Sequence, residues 1–376
     1  MLQIDNKQAL LAFSCFAKFG PTKILLLENY FGSASSAYFA SSFGLERIGL
    51  KTKLINEFIE WRNNFNINNE EEKLRREGIQ YISWHDNSYP PLLHEIHSAP
   101  YIIYYKGNIE LLNSLSKRYL AIVGSRKHSA YAEKIIKSFL PILISENIII
   151  ISGLALGVDS LAHKETLANK GVTVAVLGSG LDDKNIYPSG NKQLAKVIVK
   201  LGGLLISEFP QNTPPLRQNF PQRNRIISGL TQATLIIEAN LKSGSLITAN
   251  YALDQNRDVL AIPGNIFSEC SAGANNLIKL GARPISSSKD ILDYFDISVA
   301  NSTVAQRTRK MKLEFNDESE ELIYQLIKSA HERGERITSD EIVNISKLDT
   351  AVTNSKLSIL ELRGVANCDG ISYDIN

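Results

Sequence analysis

Cysteine is scarce in this 376-residue chain, and its three copies, Cys15, Cys270 and Cys368, form no Cys-x-x-Cys pair and no zinc-like spacing with histidine. A disulfide framework and a structural zinc site are thereby excluded, and buried thiols in a reducing, cytoplasmic compartment are expected. No run approaches the roughly 18 apolar residues of a membrane span. The first residues, MLQIDNKQALLAFSCF, place Asp5 and Lys7 where a signal peptide would need a basic stretch followed by an apolar one. Neither a membrane partner nor a targeting segment is expected. An excess of one charge is also missing, since 41 Lys and Arg face 39 Asp and Glu for a net of +2, which by itself calls for no polyanion partner. The distribution says more. From Asp317 onward six Lys and Arg face twelve Asp and Glu, a net of −6 that leaves +8 on residues 1–316. Any nucleic-acid surface therefore belongs to the front part.

What is present is ample core: 44% of the residues are hydrophobic, enough for two or three domains of a soluble protein. Residues 1–70 read as short helices broken by Gly20-Pro21, Gly32 and Gly44. The pattern resembles a helix-hairpin-helix, yet the Gly20-Pro21 hairpin lacks a second glycine and loses an amide to proline, which favours a small packing domain. Residues 78–296 change texture to short aliphatic strands ending in glycine, each followed by a helical segment: YLAIVGSR, IIIISGLALG, VTVAVLGSG, LLISEFP, ATLIIEA and DVLAIPG. Runs this apolar point to a doubly wound, mostly parallel α/β sheet covered on both faces. Its ligands belong beyond the carboxyl ends of the strands. Residues 297–316 read as a linker, and 317–376 as a small domain. There Leu322, Ile323, Leu326 and Ile327 make a helix face, Thr338 and Glu341 a capping box, Asp349 a further cap, and Asp369-Gly370 the tip of a hairpin. Three helices with a β-wing describe a winged helix. Its third helix offers only Lys356 and Arg363, so a protein-contact or structural role is expected over duplex binding.

The segment 209–249 carries the chemistry. Three arginines, a lysine and two glycine-serine turns surround the apolar ATLIIE. Lys242-Ser243-Gly244-Ser245 can expose backbone amides where SLITANYALD opens a helix, an arrangement that holds anions. Arg223 and Arg225, flanking Asn224, would add mobile positive charge. The turn SGLALGVDSLAH resembles a dinucleotide fingerprint, but Gly153 and Gly157 do not fit GxGxxG, and Gly178-Ser179-Gly180 stands where the ribose-binding acid is expected. A nicotinamide dinucleotide is disfavoured, and no cofactor is expected.

In their order, GSR at 124–126, SGLALGVDSLAH at 152–163, GSGLD and YPSGN within 178–191, SEFPQNTPP at 207–215, FPQRNRIISGL at 220–230, SGSLITA at 243–249 and AIPG at 261–264 resemble the DNA-processing protein A (DprA, also called Smf) family. The resemblance is close from about Gly78 to Ser286 and fair at both ends. It implies an extended Rossmann-like domain that binds single-stranded DNA, with a small SAM-like helical domain before it and a winged helix after it. It also implies homodimers and a role in loading RecA recombinase onto incoming strands during natural transformation. One departure is Asp183-Lys184-Asn185-Ile186, which lengthens the loop before the YP pair beyond the family's usual spacing.

The residues assigned to nucleic acid are Ser125, Arg126, Gly153, Gly157, Gly178, Gly180, Phe220, Arg223, Asn224, Arg225, Lys242, Ser243, Gly244 and Ser245. Arg126 and Lys242 are placed to meet phosphate. Asn224 is read equally as a base contact or a loop brace, and Phe220 as a stacking ring or a loop plug. Asp159 and His163, four residues apart, have no third ligand or nucleophile and are read as structural. Glu208 and Glu238 are read as acceptors bracing loops. The rival function is a nucleotide-cleaving enzyme like the lysine-decarboxylase-like phosphoribohydrolases. Their PGGxGT…E signature is absent, and KSGSLITA stands in its place. Binding without catalysis is therefore the expectation.

Overall fold

Four- and five-residue aliphatic runs, too apolar to face water on either side, build the centre of the molecule. A computed structural model describes residues 4–297, 315, 317–363, 365–368 and 372–375. The linker at 297–316 and the hairpin tip at Asp369-Gly370 fall almost wholly outside them. The chain divides into two compact units, Met1–Ser298 and Val299–Asn376.

The first unit holds a nine-stranded sheet: β1 (Gln80–Ser83), β2 (Ile102–Gly107), β3 (Tyr119–Val123), β4 (Ile149–Ser152), β5 (Thr173–Val176), β6 (Leu204–Ser207), β7 (Ala233–Ile236), β8 (Asp258–Ala261) and β9 (Arg283–Pro284), in the order β1-β2-β6-β5-β4-β3-β7-β8-β9. From β6 to β9 every pairing is parallel, and β2 and β1 add on antiparallel at one edge. Alternate residues feed two cores on opposite faces, as the period-2 pleat requires: Ala175, Leu177, Ile102 and Tyr104 on one, Val174, Val176, Ile103 and Tyr105 on the other. The chain moves from β3 to β4 on one side, then returns from β6 to β7 on the other side of β3. The carboxyl ends of β3 and β7 thus flank the point where the winding reverses, the place where such sheets leave a crevice.

Six helices precede the sheet, among them α1 (Asn6–Cys15), α2 (Pro21–Phe31) and α5 (Thr52–Asn64). Pro21 fills the first turn of α2, where its missing N–H costs nothing, and Gly32 ends that helix at φ 79°. Their core of Leu10, Leu11, Phe13, Leu27, Ile55 and Phe58 is continuous with one face of the sheet. The Tyr104 hydroxyl meets Ser14 Oγ at 2.5 Å, and Tyr101 donates to the Phe19 carbonyl at 3.0 Å. The three cysteines are unbridged and half-buried rather than fully buried.

Among the described residues, eight helices that accompany and follow the strands complete this unit, including α8 (Ala130–Ser145), α9 (Val158–Ala168), α11 (Asn219–Gly229), α12 (Ser245–Asp254) and α13 (Glu269–Lys279). The labels follow chain order, with α3, α4, α6, α7, α10 and α14 at Ala34–Tyr38, Ser42–Arg47, Ile67–Arg76, Pro91–His94, Lys192–Lys200 and Ser288–Tyr294.

The second unit consists of helices Glu318–Glu332, Ser339–Ser346 and Thr350–Leu362 and a three-stranded antiparallel sheet of Ile337–Thr338, Ser372–Ile375 and Ala366–Cys368. Ile323, Ile327, Ile342, Leu357 and Leu360 are its core. Leu322, expected on the same face, is 42% exposed, because it lies one residue off the i, i+4 stripe of Ile323 and Ile327. Thr338 and Glu341 form a reciprocal capping box, and Asp349 caps the last helix. Among the described residues no helix is long and apolar enough to cross a membrane.

Candidate nucleic-acid interface

Glycine and serine let the loops after β3, β4 and β7 close on one another. A Cβ on Gly124 would lie 2.8 Å from Val158 and 2.9 Å from the Glu238 carbonyl. On Gly157, at φ 81°, it would overlap the Ser125 carbonyl, which accepts from Val158 N at 3.1 Å. The β4 loop therefore holds the backbone of residues 125–126. Ser125 Oγ accepts from Lys127 N at 3.1 Å and donates to the Lys127 carbonyl at 2.8 Å, a local turn that leaves Arg126 and Lys127 exposed. Glu238, at the end of β7, accepts from Ser129 N at 3.0 Å and from the Ser129 hydroxyl, so one carboxylate ties together the loops on both sides of the winding reversal.

Between these loops lies a cleft of about 590 Å³. Arg126, Lys127, Arg223 and Lys242 line it against a single carboxylate, Asp159. Ser125, Phe220, Asn224, Ser243, Gly244 and Ser245 also face it. The helix predicted at SLITANYALD is α12, Ser245–Asp254, and its start opens on the cleft. Its amides are less bare than expected: Ser245 N donates to Ser243 Oγ at 3.3 Å, Leu246 N to the Ser243 carbonyl at 3.1 Å and Ile247 N to the Gly244 carbonyl at 3.2 Å. Positive charge here rests chiefly on the side chains. Asn224 Nδ2 donates to the Gly244 carbonyl at 3.4 Å, which braces this turn.

Arg223 and Arg225 require a correction. They lie on α11, not on a loop, and neither is mobile: each is less than a tenth exposed. Residues two apart on a helix point to different sides. Arg223 turns toward the cleft floor and donates Nη1 to the carbonyls of Gly153, at 2.7 Å, and Val176. Burial, with Arg126 nearby, lowers its pKa to about 10 despite the opposing Asp159 charge, so it stays a cation at neutral pH. Arg225 faces away, lies outside the cleft lining, and pairs with Glu208 at 2.5 Å. Burial raises the pKa of Glu208 and of Asp159, and the arginine charges oppose that rise.

The remaining glycines act by making room. A Cβ on Gly153 would strike Arg223 and Asp159; on Gly178 it would crowd the Phe220 ring at 3.0 Å; on Gly180 it would meet Asp182 and the Pro210 carbonyl. None of these three lines the cleft, although Gly153 borders a small recess beside it. Asp159 accepts from the amides of Gly153 at 3.1 Å and Ala155 at 3.4 Å. His163 is fully buried, its Nδ1 lies 2.8 Å from Thr173 Oγ1, and burial drops its pKa to about 3. The Thr173 hydroxyl donates to the Ile150 carbonyl at 2.7 Å, so His163 Nδ1 is the donor and the ring is neutral.

Two contributors were missed from the sequence. Lys127 is a second exposed cation on the β3 loop, and its adjacency to Arg126 in a polar turn was the available signal. Tyr187, in the lengthened loop, stands 5.5 Å from Phe220 and is 49% exposed, and both rings line the recess with Arg126. Its presence in the YPSGN motif was the only hint.

Comparison with known proteins agrees with this architecture. Residues 80–296 match the family described as DNA recombination-mediator protein A. Protein Smf of Escherichia coli is 45% identical over 205 residues, 54% of each chain, so the match spans about half the length of that relative. DNA processing protein DprA of Streptococcus pneumoniae is 42% identical over 56% of this chain and 72% of its own. The crystal structure of DprA from Streptococcus pneumoniae covers 78% of this chain and 98% of its own, at 32% identity and a TM-score of 0.66. DNA processing protein A from Helicobacter pylori, described by its single-stranded DNA binding mode, covers 57% of this chain and 95% of its own at 27% identity and a TM-score of 0.51. With the winding, the glycine-built loops and these similarities in agreement, the chain belongs to the DNA recombination-mediator protein A family.

Proposed function

We propose that this chain binds single-stranded DNA and acts as a recombination mediator without catalysing a reaction. The observation that carries this reading is the convergence of Arg126, Lys127 and Lys242, exposed and without ion-pair partners among the described residues, on a crevice whose wall carries the Phe220 ring, with Tyr187 in the recess that adjoins it. Cations track phosphates and aromatic faces take unpaired bases of any sequence. In this reading Arg223 supplies fixed field from the cleft floor, Ser243, Gly244 and Ser245 shape the anion-facing turn, and Arg225 serves the fold alone.

The reading extends to the whole chain: residues 1–70 as a SAM-like helical domain, 78–296 as the Rossmann-like DNA-binding domain, and 317–376 as a winged helix that contacts protein. A cytoplasmic homodimer that loads RecA recombinase onto strands entering by natural transformation is the corresponding cellular role. The phosphoribohydrolase alternative is less well supported. Asp159, the one carboxylate lining the cleft, is buried beneath the Gly153 and Ala155 amides rather than presented to a substrate.

Competition among single strand, duplex and a nucleoside monophosphate for a labelled oligonucleotide tests the proposal. Single strand should win, with log K falling against log salt at a slope of about −2 for three neutralised phosphates. Equal competition by duplex, a flat salt response or turnover of the monophosphate would refute it.

A further inference from the structure

The most exposed large hydrophobic side chain among the described residues is Phe267, at 90%, beside Ile266 at 80%. Both sit on the loop after β8, the strand next to β7, so this loop neighbours the one that carries Lys242. The loop is firmly built. Gly264 and the Asn275 side chain exchange two hydrogen bonds of 3.0 Å, Tyr131 donates to the Pro263 carbonyl at 2.8 Å, and Asn265 accepts from Phe267 N at 2.9 Å. A tight turn held at its base and on its flank presents an aromatic ring to solvent, at a cost in hydration that a loose polar loop would avoid.

Its place is the rim of the cleft. Cys270, three residues on, lines the cleft, and Gly273 N donates to the Ala239 carbonyl at 2.7 Å, which packs the first turns of α13 against the β7 loop. Phe220 and Tyr187 line the adjoining recess with Arg126.

We propose that Phe267 is a second stacking platform, on which an unpaired base rests as the strand leaves the cleft past Lys242. The proposal rests on the single-strand reading above. Its occupant follows from charge: the cations of the cleft hold the backbone, while the exposed Glu269, two residues along the chain from Phe267, disfavours phosphate there and leaves the ring to a base face. Ile266 flanks that base.

The test measures the full chain against oligothymidylates of about 4 and about 16 nucleotides, lengths chosen to fill the cleft alone or to run past it. Phe267→Ala should leave the short strand's affinity unchanged and weaken the long strand about 5- to 150-fold, the range for one lost stacked base. Phe267→Trp should restore long-strand affinity, and its indole fluorescence should be quenched by the long strand only. Wild-type affinity of Phe267→Ala for both lengths would overturn the proposal. So would a change confined to sedimentation, which would mark Phe267 as a contact between copies of the chain. Failure of the parent reading looks different: Lys242→Ala would then bind both lengths as the wild type does.

Discussion

The cations of the cleft and those of the C-terminal unit differ in what already holds them. Within residues 317–376, the acidic part of the C-terminal unit, five of the six lysines and arginines lie within ion-pair distance of a carboxylate: Lys328 with Glu332, Arg333 with Glu335, Arg336 with Asp374, Lys356 with Asp317 and Arg363 with Glu320. Among the described residues Arg126, Lys127 and Lys242 have no such partner. Number of cations is thus a poor guide to phosphate binding. A phosphate must displace an existing carboxylate in the acidic unit, but in the cleft it displaces water and salt ions alone. Arg223 and Arg225 form a third class, buried and bonded inward, whose charge supports loops.

Experiments can break this contrast at several levels. The largest effect is expected at Arg225. Its removal as Arg225→Ala leaves the Glu208 carboxylate buried and uncompensated, and should cost about 3–5 kcal/mol of stability in denaturant titration. A variant as stable as the wild type would show that the pair is not what fixes α11 to β6.

Next comes the double variant Arg126→Ala/Lys242→Ala, in which two charge-assisted contacts are lost. Binding of a fluorescent single strand should weaken by about 2–4 kcal/mol with the unfolding midpoint unchanged. If stability falls along with affinity, the exposed cations belong to the structural class and the contrast collapses.

Buried His163 sharpens the comparison through pH. Its folded pKa of about 3 lies below the free value of 6.5, so the folded state resists protonation. Its contribution is complete above pH 6.5 and is lost as pH falls toward the folded value, at up to about 1.4 kcal/mol per pH unit. His163→Asn should flatten stability between pH 6.5 and 5 relative to the wild type, whereas Lys242→Ala should leave the curve's shape alone. Parallel wild-type and His163→Asn curves would assign the acid sensitivity elsewhere.

The smallest effect should come from Lys328→Ala and Arg333→Ala, whose partners are exposed. Each should shift stability and single-strand affinity by no more than about 0.5 kcal/mol. A loss of affinity as large as that of Lys242→Ala would make the acidic unit a DNA-contacting element.

Much of this arrangement was legible in the residues. YLAIV, IIIIS, VTVAV, LLIS, ATLII and DVLA read as strands because a face-to-face buried sheet admits little else, and each is one. The Thr338 capping box read as a helix start because capping is local, and SLITANYALD is the helix it was read as, although no side chain caps it. FPQRNR misled. Its arginines read as mobile charge and its Phe220 as a ring or plug on a loop, yet Pro221 falls in the first turn of α11, where a missing amide is tolerated. Once that segment is helical, the phase between positions 223 and 225 sends one arginine under the cleft and the other to Glu208.

By itself, then, the amino-acid order determined the alternation that builds two cores, the turns that demand glycine, and the accumulation of positive charge ahead of residue 317. These follow from steric and periodic rules that act over a few residues. Which cations remain free was decided only by the tertiary structure. Glu208 meets Arg225 across 17 positions, Gly153 meets Arg223 across 70, and Glu238 meets Ser129 across 109. An ion pair depends on distance in space and on the water removed around it, and neither can be read until the helices and loops that carry the two charges are brought together by the sheet.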